Sequence, residues 1–190
     1  MLDQLLQYDT ELFLYLNNLG SSSWDGFWLA YTTKWYWIPL YALLLFMLYK
    51  YLGKVRFLIT IVAVALLILF TDQVANWFKH GIERLRPCHV EALMGKMRLV
   101  REGCGGKFGF FSGHASNTMA VAIFVGLMLK KKYKYLIYAL VLWSMLMGYS
   151  RIYVGVHYPL DVFCGMLFGC FSGLLFYKLN SYFINLKSKR

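Results

Sequence analysis

Three polar clusters could do chemistry in a chain that is otherwise 59% hydrophobic and 19% aromatic. The first runs from Lys79 to Pro87, with Lys79 and Arg86 seven positions apart. Seven residues is two helical turns, so the spacing predicts both cations on one helix face. Pro87 disfavours helix at the preceding residue and is expected to end that helix. Arg offers a planar fork of donors and Lys a point charge, a pair suited to a phosphate. Cations that snorkel to a membrane surface give the same pattern. The second cluster is Phe111-Ser112-Gly113-His114. Ser112 is a candidate helix N-cap, and Gly113 lets backbone approach a ligand. The first amides of the helix would favour an anion, and His114 adds a proton donor beside it. The bland alternative is a capped helix with an interfacial histidine. The third cluster holds Ser150, Arg151, His157, Pro159 and Asp161. Pro159 suits the first position of a helix, which leaves His157 just outside it and Asp161 in its first turn. Asp161 can then hold one ring nitrogen of His157 and leave the other free as a nucleophile. A zinc reading of this pair lacks a third and fourth ligand, so no metal is expected. Combined, the clusters describe a phosphate site. Lys79, Arg86 and Arg151 would supply three cations and the helix start at Gly113 an anion nest, with His157 held by Asp161 as nucleophile and His114 as a separate acid.

The elements that must carry these residues are membrane helices. Charged residues make up 15% of the chain, against about 25% in a typical soluble domain. The hydrophobicity excludes disorder. The net charge of +11 would otherwise suggest nucleic acid, but the apolar excess points to a bilayer and no nucleic-acid partner is expected. A crossing takes about 20 apolar residues. Five spans are expected, near 30–50, 55–78, 114–130, 134–150 and 159–177, or six if residues before 30 supply another. The fold class is therefore an all-α integral membrane bundle forming a single domain, 1–190. Residues 1–20 carry Leu2, Leu5, Leu6, Leu12, Phe13 and Leu16 at helical spacing among Asp3, Asp9 and Glu11. They read as an amphipathic helix lying on the membrane surface, ended by Gly20 and Ser21–Ser23. A removable signal peptide is not expected, because no basic start precedes a small-residue cleavage site.

The basic excess fixes the orientation. Lys50, Lys54 and Arg56 lie between the first two spans, and Lys130, Lys131, Lys132 and Lys134 between the third and fourth. Lys178, Lys187, Lys189 and Arg190 follow the fifth. These segments hold eleven basic residues and no acids, and with five spans they share one side. Positive segments stay cytoplasmic, which puts the 80–113 loop and the 151–158 turn together on the outer face.

Lys-x6-Arg-Pro from Lys79, Ser-Gly-His from Ser112 and Ser-Arg-x5-His-x3-Asp from Ser150, in this order, resemble the three signatures of the type 2 phosphatidic acid phosphatase family. That family includes lipid phosphate phosphatases, and vanadium haloperoxidases share its site. The resemblance covers residues 79–161 and the span layout. It departs at Phe111, where the family commonly has Pro, which bears on the site's entrance and substrate choice. The resemblance implies cofactor-free hydrolysis of a phosphorylated membrane lipid, with His157 as nucleophile, Asp161 orienting it and His114 protonating the leaving group. It also implies that Ser112 and the Gly113 amide join the three cations in binding the phosphate. Undecaprenyl diphosphate, lipid A, phosphatidylglycerophosphate and phosphatidic acid all fit. The loop from Arg86 to His114 looks similar to members acting on undecaprenyl diphosphate or lipid A phosphates. Such a member would sit in a bacterial inner membrane with its site facing the periplasm. The rivals are a phosphatidylglycerophosphate or phosphatidic acid phosphatase, a haloperoxidase, and a non-enzymatic lipid-phosphate transporter. A transporter would not need an oriented nucleophile.

Several further residues keep two readings. Lys96, Arg98, Arg101 and Lys107 are either solvated loop charge or contacts for a second phosphate. Cys88 and Cys104, 16 positions apart in the outer loop, form a disulfide or stay free thiols. Asp72, in the second span, leads through Asn76 to Lys79 at helical spacing and is either functional or a hydrogen-bonded packing residue. Gly165, Gly169 and Gly173 make a close-contact face, expected to pack within the chain rather than across a dimer.

Overall fold

The computed structural model describes residues 1–188; Lys189 and Arg190, part of the inner charge, lie outside the described residues. Among these residues the chain is helical apart from turns and one isolated antiparallel bridge, Leu85 to Phe108. The helices are α1 (Leu2–Asn18), α2 (Ser22–Thr32), α3 (Ile38–Leu52), α4 (Lys54–Ile82), α5 (Gly113–Leu129), α6 (Leu136–Tyr153) and α7 (Pro159–Ser188).

Three of them, α4, α6 and α7, are long and apolar enough to cross a membrane. Helix α5 is a shorter apolar helix of 17 residues. The expected span at 30–50 is not one helix. Thr33 turns extended, a 3-10 turn follows at Lys34–Trp37, and α3 starts only at Ile38 with Pro39 in its first turn. Proline suits that position because it has no N–H to leave unpaired. The 15 residues of α3 rise about 22 Å, less than the roughly 30 Å hydrocarbon core. The other spans match helices to within a few residues at most ends, though α4 runs on to Ile82 and α7 to Ser188, past the expected ends at 78 and 177.

Helix α5 is the hub. It packs on α3, α4, α6 and, most extensively, α7, and 12 of its 17 residues are buried. The close approach of α7 comes from the glycine face. A Cβ at Gly165 would stand 2.6 Å from the Ser112 carbonyl oxygen, and one at Gly173 2.7 Å from that of Ala120. That face is thus spent inside the chain. The outward faces of the long helices are apolar. Leu58, Val62, Leu66 and Leu69 on α4, and Phe163, Leu167, Phe171 and Leu174 on α7, are exposed at helical spacing. Apolar stripes of that length suit lipid rather than water.

The N-terminal helix has two faces. Leu2, Leu5 and Leu12 are exposed, whereas Asp9, Phe13 and Asn17 are buried against the bundle. Asn17 ties α1 to the end of α6 and to the loop at Arg98 through four hydrogen bonds. Its Nδ2 donates to the Arg98, Ile152 and Tyr153 carbonyls at 3.0, 3.1 and 2.9 Å, and its Oδ1 accepts from the Arg98 amide at 2.7 Å.

Candidate active site

Pro159 starts α7, so His157 stands in the turn after α6 and Asp161 in the first turn of α7. The His157 Nδ1 faces Asp161 Oδ2 at 3.3 Å, and the same oxygen accepts from the Tyr158 amide at 3.0 Å. His157 is 2% exposed and Asp161 is fully buried. Burial lowers the His157 pKa to about 4; the Asp161 carboxylate works against that shift, and Arg151 and Arg86 add to it. The resting ring is therefore neutral at pH 7, with Nε2 as the nitrogen not facing Asp161.

Lys79 and Arg86 reach the site by different routes from the one the spacing predicts. Helix α4 ends at Ile82, where Glu83 adopts a left-handed conformation with φ 53°, a common way to close a helix. Arg86 is extended, not helical. The segment around it pairs with residues 107–109: the Arg86 amide donates to Lys107 O at 3.1 Å, and the Gly109 amide to Arg84 O at 2.8 Å. This pairing, not a shared helix face, delivers Arg86. Its Nε donates to Phe108 O and its Nη1 to Cys104 O, each at 3.1 Å. Cys88 and Cys104 pair as a disulfide with Cα atoms 5.8 Å apart, so the carbonyl that anchors Arg86 is itself tied down. Burial lowers the Arg86 pKa, Arg101 adds to this, and Asp161 opposes it.

Ser112 occupies the N-cap position of α5, but its hydroxyl does not cap the helix. It is fully buried and its Oγ has no partner. The Ser112 amide instead donates to Asp161 O at 2.9 Å, joining the start of α5 to α7. Gly113 lies beside Lys79: a Cβ there would make ordinary contact with its Nζ at 3.7 Å. Gly109 leaves room for the His157–Asp161 pair, since a Cβ would stand 3.2 Å from Asp161 Oδ2. Arg151, near the end of α6, is 3% exposed. Its Nη1 donates to Thr32 Oγ1, while its Nε has no partner.

One cavity of about 480 Å³ joins these parts. Lys79, Arg86, Arg151, Gly113, His114 and His157 all line it. Asp161 stands behind His157, and Ser112 behind Gly113. Buried donors without partners are rare and costly, so Arg151 Nε, on a residue that lines the cavity, marks a place where an anion's oxygen fits; the unpartnered Ser112 Oγ belongs to a residue outside that lining. Of the four loop cations with two readings, only Arg101 lines the cavity. Arg98 pairs with Asp25 at 2.8 Å, and Lys107 lies 5.6 Å from the Phe108 ring centre. Asp72 also lines the cavity, with Oδ1 accepting from Asn117 Nδ2 at 2.6 Å. Cys164 and Cys170 are free. No cluster of three or more metal-ligating side chains occurs among the described residues.

Two residues at the site carry no role in the sequence reading. Arg84 donates from Nη1 to Asp161 Oδ1 at 2.8 Å and from Nη2 to Asp9 Oδ2 at 2.6 Å. Asp9 Oδ1 accepts from the Leu160 amide at 2.8 Å. A signal for Asp9 was its spacing with Phe13 and Asn17, which sets a polar-edged stripe apart from the leucine face of α1. Arg84 alternates with Arg86, as two residues on one side of an extended segment do, but only the early end of α4 makes that pattern readable.

Known proteins resemble this chain in sequence and in fold. The chain is 39% identical over 179 residues to a lipid A 4'-phosphatase of Bacteroides thetaiotaomicron, covering 93% of this chain and 79% of that protein. It is 34% identical over 185 residues to the lipid A 4'-phosphatase of Porphyromonas gingivalis, covering 95% and 76%. The crystal structure of a transmembrane PAP2-type phosphatidylglycerolphosphate phosphatase from Bacillus subtilis shares the fold. It aligns with a TM-score of 0.74 at 21% identity, covering 94% of this chain and 87% of that one. The pattern of the PAP2 superfamily matches residues 55–185, and the chain belongs to that superfamily.

Proposed function

We propose that this protein removes a phosphate from a membrane lipid, with the 4'-phosphate of lipid A as the substrate. Its superfamily and its two lipid A 4'-phosphatase relatives make it a lipid-phosphate hydrolase. The observation that carries the chemistry is a neutral, oriented His157 and an unpartnered donor on Arg151 lining one cationic cavity.

Lys79, Arg86 and Arg151 hold the phosphate and offset its growing charge, with the Ser112 hydroxyl and the Gly113 amide as further donors. His157 Nε2 attacks phosphorus as the bond to the lipid oxygen breaks. His114, open to the cavity, gives that oxygen a proton, a step worth roughly 10²–10⁴-fold. Asp161 accepts from Nδ1–H and stabilises the ring's positive charge. Water then attacks the phosphohistidine, His114 takes its proton, and inorganic phosphate leaves with His157 restored. The balance is lipid phosphate plus water to lipid alcohol plus phosphate. In this reading the single domain 1–190 crosses the membrane with α4–α7, and α3 together with the Lys34–Trp37 turn before it makes the remaining span. The basic segments at 50–56, 130–134 and after 177 support an orientation in which the site faces the periplasm from a bacterial inner membrane.

The test is product analysis by mass on purified protein given lipid A, undecaprenyl diphosphate, phosphatidylglycerophosphate and phosphatidic acid, with and without a chelator. Loss of one phosphate from lipid A, abolished in His157→Ala and unaffected by the chelator, is expected. Turnover in His157→Ala, or loss on chelation, overturns the mechanism. Turnover of another lipid alone reassigns the substrate. Binding without product in the wild type makes the chain a transporter.

A further inference from the structure

We infer that Arg84 and Asp9 are positioning residues for His157, acting through Asp161 from behind the cavity. This inference rests on the reading of His157 as the nucleophile.

Neither residue lines the cavity, and neither does Asp161. What they do is use up the carboxylate's freedom. Asp161 Oδ2 is held by the Tyr158 amide and faces His157 Nδ1, while Oδ1 is held by Arg84. The Arg84 guanidinium is fixed in turn. It lies 4.1 Å over the Tyr158 ring and bonds Asp9 through its other terminal nitrogen. Asp9 closes the circuit by accepting from the Leu160 amide, one residue before Asp161. Pro159 has no N–H, so Asp9 satisfies the first free donor of α7 from another helix. The carboxylate that orients the histidine is thus fixed at its side chain by Arg84 and at its backbone by α1.

The charges are arranged with equal economy. Arg84 beside Asp161 alone would make a neutral pair and weaken the field that a cationic His157 needs. Asp9 on the far side of Arg84 restores a net negative charge to the chain of three. The side chains of Asp9 and Arg84 are only 5% and 15% exposed, so solvent screens this little. The groups facing His157 itself are Asp161 on α7, Arg151 on α6, His114 on α5 and Arg86 on the outer loop, with Lys79 on α4 across the cavity.

The experiment uses the full-length protein in detergent micelles, with Arg84→Met, Arg84→Lys, Asp9→Asn and the double variant Arg84→Met/Asp9→Asn. Replacing the orienting carboxylate of a Ser-His-Asp triad lowers kcat by about 10⁴. Arg84 stands one hydrogen bond further out, so kcat is expected to fall about 10²-fold. KM should change by less than about threefold, since no phosphate contact is lost, and Arg84→Lys should recover part of kcat. The acid limb of the kcat profile, set by His157, should move in opposite directions. It should rise in Arg84→Met, which leaves two carboxylates, and fall in Asp9→Asn, which leaves Arg84 to neutralise Asp161. A purely structural role would move both variants the same way. The double variant removes both charges of the pair and is the one expected to keep its fold if a single change unfolds the protein; it should still lose kcat. Wild-type kcat in the folded variants, or limbs that shift together, overturns the inference. His157→Ala runs alongside: if it is active, the nucleophile assignment has failed, and if it is dead while the Arg84 and Asp9 variants are not, only the positioning role has failed.

Discussion

Replacing Cys88 and Cys104 with serine should loosen Arg86 without touching it. The disulfide closes a loop across 16 positions, and a cross-link of that size restricts the open chain by about 3 kcal/mol. Arg86 has five N–H donors. Two are spent on the carbonyls of Cys104 and Phe108, and the rest serve the cavity. If the loop around Cys104 opens, one of the two anchors goes with it. Three kcal/mol is a factor of roughly 10² in the ratio of closed to open loop, which bounds the effect. At temperatures where the wild-type loop stays closed, the double serine variant should lose up to about 10²-fold in kcat/KM. The loss should come mainly through phosphate binding, and cleavage by a protease within residues 94–106 should be faster. A thiol reductant should bring the wild type to the variant's level and leave the variant unchanged. A variant with wild-type kcat/KM and wild-type protease resistance would refute the claim that the cross-link positions Arg86.

Three further outcomes are expected. The His157 pKa of about 4 lies below the ordinary value near 6.5, so the unfolded chain binds the extra proton first. Stability should therefore drop by up to about 3 kcal/mol as pH falls from roughly 6.5 to 4, and thermal melts of His157→Gln should lack this dependence. Gly169→Ala would place a Cβ 2.9 Å from that of Met119, forcing α5 and α7 apart at a cost of roughly 1–3 kcal/mol; an unshifted melting temperature would count against the glycine seam. Asn17→Ala removes four hydrogen bonds, each worth about 1 kcal/mol, so the melting temperature should fall and proteolysis within α1 should quicken.

Local rules reached some of the site and not the rest. The start of α7 at Pro159 and the placing of Asp161 beside His157 follow from proline's fixed geometry and four-residue spacing, and both are present. Ser112-Gly113-His114 does open α5, yet the Ser112 hydroxyl makes no cap and stays unpartnered, while the amide of that residue donates to Asp161 O, 49 positions away. The end of α4 was misplaced because Pro87 is a strong local stop, while the earlier stop depends on Glu83 and on pairing with residues 107–109. Arg84 and Asp9 were missed for the same reason. Their meeting is 75 positions long, and no periodicity within either segment records it. The break at Thr33 was half-legible in Pro39 and Lys34, but the run of aromatics around them hid it.

The docking of α1 has a consequence for biogenesis. Asp9 and Asn17 are made early, yet their partners include Arg84, Leu160, Ile152 and Tyr153. The partners of Asp9 and Asn17 are therefore complete only once Leu160, at the start of the last helix, has been made. A nascent chain halted before residue 161 would hold those partners and His157, but not the carboxylate that faces the histidine. In the proposed mechanism catalytic competence thus arrives with one late residue, and a chain stopped short of it has an unoriented nucleophile.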